Sequence, residues 1–197
     1  MIVSLIIVAY QKPVLLERYM SSIRRFEDLS RLELILVDVE PNGLPDVPCD
    51  QYIALDKASY AEAVNTGLKA ASHDYLIWGN EDIKVSGPFV EQLLAPVVEK
   101  HRTIAGPNQR ADLGWPFVVG WLVAMHSIAL EEIGYLDEQF PGTFEDTDYG
   151  ARCYKAGYRI ECVEDLPVRH ISLGRLNQHL MDCQELFLNK HGMGPKA

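Results

Sequence analysis

The first hundred residues alternate between short, densely apolar runs and longer segments whose apolar residues recur with a helical period. Ile2 to Val8 is a near-continuous apolar run, the pattern of a strand buried on both faces. Pro13 stands where a first helical turn tolerates proline, and the spacing predicts a helix from there through Phe26. Leu34 to Val37 reads as a second strand ending on Asp38, and Tyr52 to Leu55 as a third after the Pro/Gly/Asp-rich "VEPNGLPDVPCD". Ser59 and Glu62 make an S-x-x-E capping box, so "SYAEAVNTGLKAAS" is predicted helical. Tyr75 to Trp78 is a further strand, Ser86 to Lys100 a further helix and Thr103 to Ala105 another strand.

Strands alternating with helices predict an α/β fold with a central, mostly parallel sheet flanked by helices, and such sheets bind ligands at the carboxyl ends of their strands. The second half is less regular. "GWPFVVGWLVAMH" reads as one extended apolar segment and "SIALEEIG" as a short helix closed by Gly134. "TFEDTDYGARCYKAG" reads as a helix with a capping-box-like pair, Thr143 and Asp146, closed by Gly157. "YRIECV" and "LPVRHI" are strand-like, and Asn177 to His191 is a terminal helix with Leu180, Cys183 and Phe187, joined by Leu176, on one face. Neither a repeat nor a composition break divides the chain. The expectation is a single domain over 1–197, with halves at 1–105 and 106–175 and a terminal helix and tail at 176–197.

Composition narrows the function. With 48% hydrophobic and 23% charged residues in 197, the chain has a soluble globular profile and enough length for a full core. A formal net charge of −10 opposes binding to a nucleic-acid backbone, and the densest basic pair, Arg24-Arg25, reads as a solvated helix end. Cys49, Cys153, Cys162 and Cys183 show no metal-type spacing and read as reduced thiols of a cytoplasmic protein. No apolar run reaches membrane-spanning length, and "MIVSLIIVAY" reads as a strand rather than a leader.

Candidate chemistry lies at the element ends. The strand at Tyr75 runs into Asn80-Glu81-Asp82, placing two acids side by side at a sheet rim, where they repel unless a positive charge joins them. Asp38 ends another strand and Asp146 opens a helix. Singly, each is explained by turn or capping preference; in a parallel sheet, the first two share one edge.

The order of these segments resembles the family 2 glycosyltransferases of the GT-A fold. "VSLIIVAYQKPVLLERYMSSI" is similar to that family's first strand and helix, "LELILVDVEPNG" to its second strand with the aspartate facing the nucleotide base, and "NTGLKAASHDYLIWGNED" to the helix and strand leading to its D-x-D metal motif. "GWLVAMHSIALEEIGYLDEQFPGTFEDTDYGARCYKAGYRIECVEDLPVRHISLGR" resembles the bacterial rhamnosyltransferase-like branch, and the likeness spans Val3 to Arg175. The chain departs from the pattern at Asn80, which takes the first D-x-D position, at Asp38-Val39, where a second acid often follows, and before Asn65-Thr66-Gly67, where an arginine is often found.

The resemblance implies a metal-dependent, inverting enzyme that moves a sugar from a nucleoside-diphosphate sugar to an acceptor hydroxyl. It assigns the catalytic base to Asp146 with Glu145 and Asp148 as supporting acids. Nucleotide-sugar contacts fall to Ala9, Tyr10, Asp38, Asn65, Asn80 and Glu81, and a divalent cation, Mn²⁺ or Mg²⁺, to Asp82 and His170. In this reading the cation arrives with the donor and answers the repulsion at the strand rim. Phe117 and Trp121 are expected in the core, whereas Trp115, between Gly114 and Pro116, is expected on a loop as an acceptor-stacking ring. Two rivals are a non-catalytic sugar-nucleotide or glycan-binding module and a metal-dependent nucleotidyltransferase. The second calls for a basic Gly-rich loop after the first strand, but "AYQKPVLL" has no glycine.

Overall fold

The computed structural model describes residues 1–41, 47–171 and 180–195. Its frame is a seven-stranded sheet that takes β1 (Val3–Tyr10), β2 (Leu32–Val39), β3 (Gln51–Leu55), β4 (Tyr75–Asn80), β6 (Thr103–Gly106), β9 (Leu122–His126) and β10 (Arg159–Cys162). The strand order is β10-β6-β9-β4-β1-β2-β3. β9 runs antiparallel to both β4 and β6, and the other pairings are parallel. The expected mostly parallel α/β sheet is therefore present.

Period-two alternation along β1 splits the core into two layers. Val3, Leu5, Ile7 and Ala9 pack with Leu16, Tyr19, Met20 and Ile23 of α1 (Pro13–Phe26) and with Leu93, Leu94 and Val97 of α3 (Val90–Glu99). Ile6 and Val8 face the other way, toward Val64 and Leu68 of α2 (Tyr60–Ala70) and Tyr149 and Cys153 of α5 (Glu145–Lys155). α2 can lie this close to β1 because of Gly67, where a Cβ would stand 2.3 Å from Ile6 Cγ2. At burial worth about 1.5–3 kcal/mol per large apolar side chain, these two layers dominate the stability of the domain.

Three smaller elements shape the cleft. β5 (Ile83–Val85) pairs antiparallel with β11 (Val168–His170), β7 (Gln109–Asp112) pairs with β8 (Trp115–Val118), and α4 (Ile128–Glu132) follows β9. α6 (Leu180–His191) closes the described chain, burying Cys183 and Phe187 against Phe140, Ala151 and Trp115.

Several sequence expectations need correction. α3 starts at Val90 rather than Ser86, because Pro88 disfavours helix at the residue before it; the first N–H groups of the helix are met instead by Glu27 Oε1, which accepts from Phe89 and Val90 at 2.6 and 3.3 Å. The extended apolar segment is two strands, β8 and β9, interrupted at 119–121. The Thr143–Asp146 cap does not form: Phe144, with φ 67°, is the residue preceding α5, and no side chain caps it. The capping box of Ser59 and Glu62 does form, with both reciprocal bonds present. No disulfide joins the four cysteines. Asn177 to His179, the predicted start of the terminal helix, and Leu176 lie outside the described residues.

Candidate active site

Parallel registry brings the strand-end residues together. Ala9 is paired with Asp38 on one side, and Val8 with Asn80 on the other, so the carboxyl ends of β2, β1 and β4 form one rim. Beyond Asn80 the chain turns, and Glu81 and Asp82 tuck under this rim almost wholly out of solvent.

The positive charge that this acid pair calls for is built into the chain. Lys12 Nζ lies 2.8 Å from Asp82 Oδ2 and 3.7 Å from Glu81 Oε1. Lys12 immediately precedes α1, and its carbonyl accepts from the N–H groups of Leu15 and Leu16 at 3.0 Å each. Glu81 Oε1 also accepts from the Tyr10 N–H, at 3.2 Å. On the other side of Asp82, His170 Nε2 stands 2.9 Å from Oδ1, and the Ile171 N–H donates to the Asp82 carbonyl at 2.9 Å, stitching the end of β11 to the acid. Burial pushes the Asp82 carboxyl up, but the hydrogen bonds and charges of His170 and Lys12 outweigh it and hold it at about 2. Burial raises Glu81, with Lys12 only partly offsetting it.

A cleft of about 770 Å³ opens above this rim. Asn80, His170, Trp121, Tyr60, Glu145 and Asp146 all line it. Trp121 stacks on the His170 ring at 5.2 Å between centroids with 6° between planes. Asp146 is held by backbone donors: Oδ2 accepts from Gly120 N–H at 2.9 Å and Oδ1 from Thr147 N–H at 2.7 Å. Tyr60 donates its hydroxyl to the Gly120 carbonyl at 2.7 Å, fixing the same residue from its other side. Burial raises the Asp146 carboxyl despite these backbone bonds, and burial followed by the Asp146 charge raises Glu145, whose Oε2 has no hydrogen-bond partner. Gly150 lets α5 deliver this pair, since a Cβ there would stand 2.4 Å from Phe117 Cβ.

Other predicted site residues lie elsewhere. Asp38 is buried at the end of β2, with Oδ2 accepting from the Tyr52 hydroxyl at 2.8 Å and Oδ1 unpartnered; burial raises its carboxyl. Asn65 is buried against the loop after α4, donating to the Leu136 carbonyl at 2.9 Å and Glu138 Oε1 at 2.8 Å and accepting from Leu136 N–H at 3.0 Å, so its amide is committed to structure. Asp148 faces away from the cleft: Arg152 Nε, Lys190 Nζ and His191 Nε2 reach it at 2.8, 2.7 and 2.7 Å, tying α6 to α5. Trp115 opens β8 instead of a loop. It is 7% exposed, donates Nε1–H to the Gly192 carbonyl at 3.0 Å and lies under Lys155, away from the cleft lining. Sequence reasoning missed Lys12, Tyr60 and the cleft position of Trp121.

A sequence model of Glycosyl transferase family 2 matches residues 4–118, more than half of the chain. The chain belongs to glycosyl transferase family 2. No curated protein matches it. Among solved structures, this family 2 domain is similar to mannosyltransferase PcManGT from Pyrobaculum calidifontis in complex with GDP-Man and Mn²⁺, with TM-score 0.67 and 16% identity over 96% of this chain and 61% of that one. It is also similar to GalNAc-T7 with UDP, GalNAc and Mn²⁺, with TM-score 0.74 and 13% identity over 88% and 44%. S. aureus TarS superposes with TM-score 0.67 and 14% identity over 96% and 39%. These likenesses establish the GT-A fold, and the chain spans less than two thirds of each of those proteins. Among the described residues, no helix is long and apolar enough to cross a membrane.

Proposed function

We propose that this chain is a metal-dependent, inverting glycosyltransferase that moves a sugar from a nucleoside-diphosphate sugar to an acceptor hydroxyl. The observation that carries the reading is the meeting, in one cleft, of the end of β4 and a separately held carboxylate pair: Asn80 and His170 line it together with Glu145 and Asp146. A binding module has no use for that pair, and this favours turnover over the non-catalytic alternative.

Among the described residues, no three His, Cys, Asp or Glu side chains gather as a ready-made metal cluster. The donor set at β4 nonetheless fits a divalent cation. Asn80 Oδ1 is buried without a hydrogen-bond partner, and His170 Nε2 stands beside both residues, 2.9 Å from Asp82 Oδ1 and 3.3 Å from Asn80 Nδ2. Oxygen donors with one imidazole suit Mn²⁺ better than Mg²⁺. The bound cation would neutralise the charge that grows on the departing diphosphate.

The chain's own residues do the rest. Asp146, held by Gly120 and Thr147, faces the cleft and takes the acceptor's proton as its oxygen attacks the anomeric carbon from the side opposite the leaving group. Its raised proton affinity suits it to that task better than an ordinary surface carboxylate. Glu145 supports it, Ala9 and Tyr10 border the donor at the end of β1, and the Trp121 ring offers a sugar-stacking surface in place of Trp115. Asp38 receives the nucleotide base. The motif order over residues 120–175 supports the rhamnosyltransferase-like branch, and a cytoplasmic setting accords with cysteines that carry no metal-type spacing.

The test is calorimetric titration with UDP, GDP and dTDP, with and without Mn²⁺, on wild type and Asp82→Ala. The expected result is Mn²⁺-dependent binding of one nucleotide that the variant loses. A folded protein that binds none of the three would overturn the reading.

A further inference from the structure

Lys12 touches both acids at the β4 edge, on the side of Asp82 opposite His170. We propose that Lys12 is a resident counter-cation that holds Asp82 in the donor-free protein, so that a divalent cation binds well only when a nucleoside diphosphate enters with it and draws the ammonium away. This deepens the reading above and rests on it.

Three observations carry it. The first is charge. Glu81 and Asp82 are 2% and 1% exposed, so the pair needs a positive partner in every state of the site. Lysine and metal are alternative ways to supply it, and their like charges oppose simultaneous residence on one carboxylate. The second is the division of the Asp82 oxygens. Oδ2 is taken by Lys12, while Oδ1 faces His170 Nε2 at 2.9 Å, beside the buried and unpartnered Asn80 Oδ1. The carboxylate thus gives one oxygen to the lysine and turns the other toward an imidazole and a buried, unpartnered amide oxygen.

The third is the mobility of the lysine relative to its anchor. The Lys12 backbone is fixed by the first turn of α1 and by the turn at Gln11, whose φ of 53° is accompanied by a Gln11 Nε2–Glu40 Oε2 hydrogen bond of 2.9 Å. The Lys12 side chain itself is 38% exposed, so its four-carbon stem can swing from Asp82 toward a diphosphate without disturbing the strand end. Entry of a ligand with at least two negative charges gives the ammonium a new partner and frees Oδ2. By reciprocity, the nucleotide and the metal then strengthen each other's binding.

The test titrates Mn²⁺ alone, with free Mn²⁺ read by electron paramagnetic resonance, into wild type, Lys12→Met, Lys12→Gln and Lys12→Arg, with circular dichroism confirming that each is folded. Mn²⁺ affinity in the nucleotide-free protein is expected to rise about tenfold in both neutral variants and to stay at the wild-type level in Lys12→Arg. Adding Asp82→Ala to either neutral variant should erase the gain. The titration is then repeated with UDP, GDP or dTDP present, where wild type should recover most of the difference. Neutral variants that bind Mn²⁺ no more tightly than wild type, in a protein that does bind it with nucleotide, overturn the role of Lys12 and leave the glycosyltransferase reading intact. Absence of Mn²⁺ binding in every variant, with and without nucleotide, overturns both.

Discussion

Glu81–Asp82 and Glu145–Asp146 are both pairs of neighbouring acids, the first buried just beyond the end of a strand and the second at the start of a helix, where it lines the cleft. They differ in what stands next to them. The strand-end pair has Lys12 and His170 in contact, and Asp82 is held deprotonated far below the usual carboxylate range. Among the described residues, no side-chain cation contacts the helix-start pair: Asp146 relies on two backbone N–H groups, Glu145 keeps an unpartnered oxygen, and both are pushed upward. The same residue types thus have opposite uses. The first pair suits attraction of positive charge, and the second suits acceptance of a proton.

The most severe way to break this contrast is Asp146→Asn. It keeps the shape but removes the proposed base, so turnover should fall by about 10²–10⁴-fold, with nucleotide affinity measured by calorimetry unchanged within about twofold. Equal loss of both would show that Asp146 is structural.

Glu145→Gln sharpens the contrast through stability. A carboxyl whose folded pKa is raised binds its proton more tightly in the native state, so it costs stability as pH climbs from the ordinary value through the raised one. The neutral glutamine should therefore gain on the order of 1–3 kcal/mol over wild type at pH 8 in urea unfolding, and nothing at pH 4. A gain of the same size at both pH values would place its origin outside ionisation.

Asp82 should behave in the opposite sense. Its depressed carboxyl stabilises the fold at pH above about 4, and that contribution is lost as pH falls through about 2. In metal-free buffer, acid unfolding of Lys12→Met should begin at higher pH than wild type, with a difference on the order of 1–2 kcal/mol near pH 3. Superimposable acid limbs would mean that Lys12 lends Asp82 little. The smallest effect belongs to Trp115→Phe, which loses the bond to the Gly192 carbonyl and about 1 kcal/mol of stability but should leave turnover unchanged.

What was legible in the chain follows the range of the forces involved. Pro13 at the start of α1 and the Ser59–Glu62 box are local devices, and each appears where the spacing places it. Apolar runs located the central strands, although β2 and β4 extend farther because a neighbour on each side continues their ladders. Lys12 and Asp82 are 70 residues apart and meet only because β1 and β4 are adjacent, so no short pattern could announce their contact. Trp115, flanked by Gly114 and Pro116, carries the local signature of a loop, but packing against Cys183 and Phe187 of α6 draws it inside. Trp121, read as core filling, is in fact nearly buried, yet its remaining surface belongs to the cleft.

Asp148 gives the far end of the chain a hold on the chemistry. Its carboxylate is fully buried and shared among Arg152 of its own helix and Lys190 and His191 of α6, while Asp146 sits two residues away at the start of the same helix. Lifting α6 strips two of those three partners and exposes the apolar seat of Phe187, so the two helices should open as one cooperative unit. In amide hydrogen exchange, the N-terminal turns of α5 would then show protection that tracks α6. On the role proposed for Asp146, a helix that does not line the cleft would then set how long the proton-accepting geometry lasts.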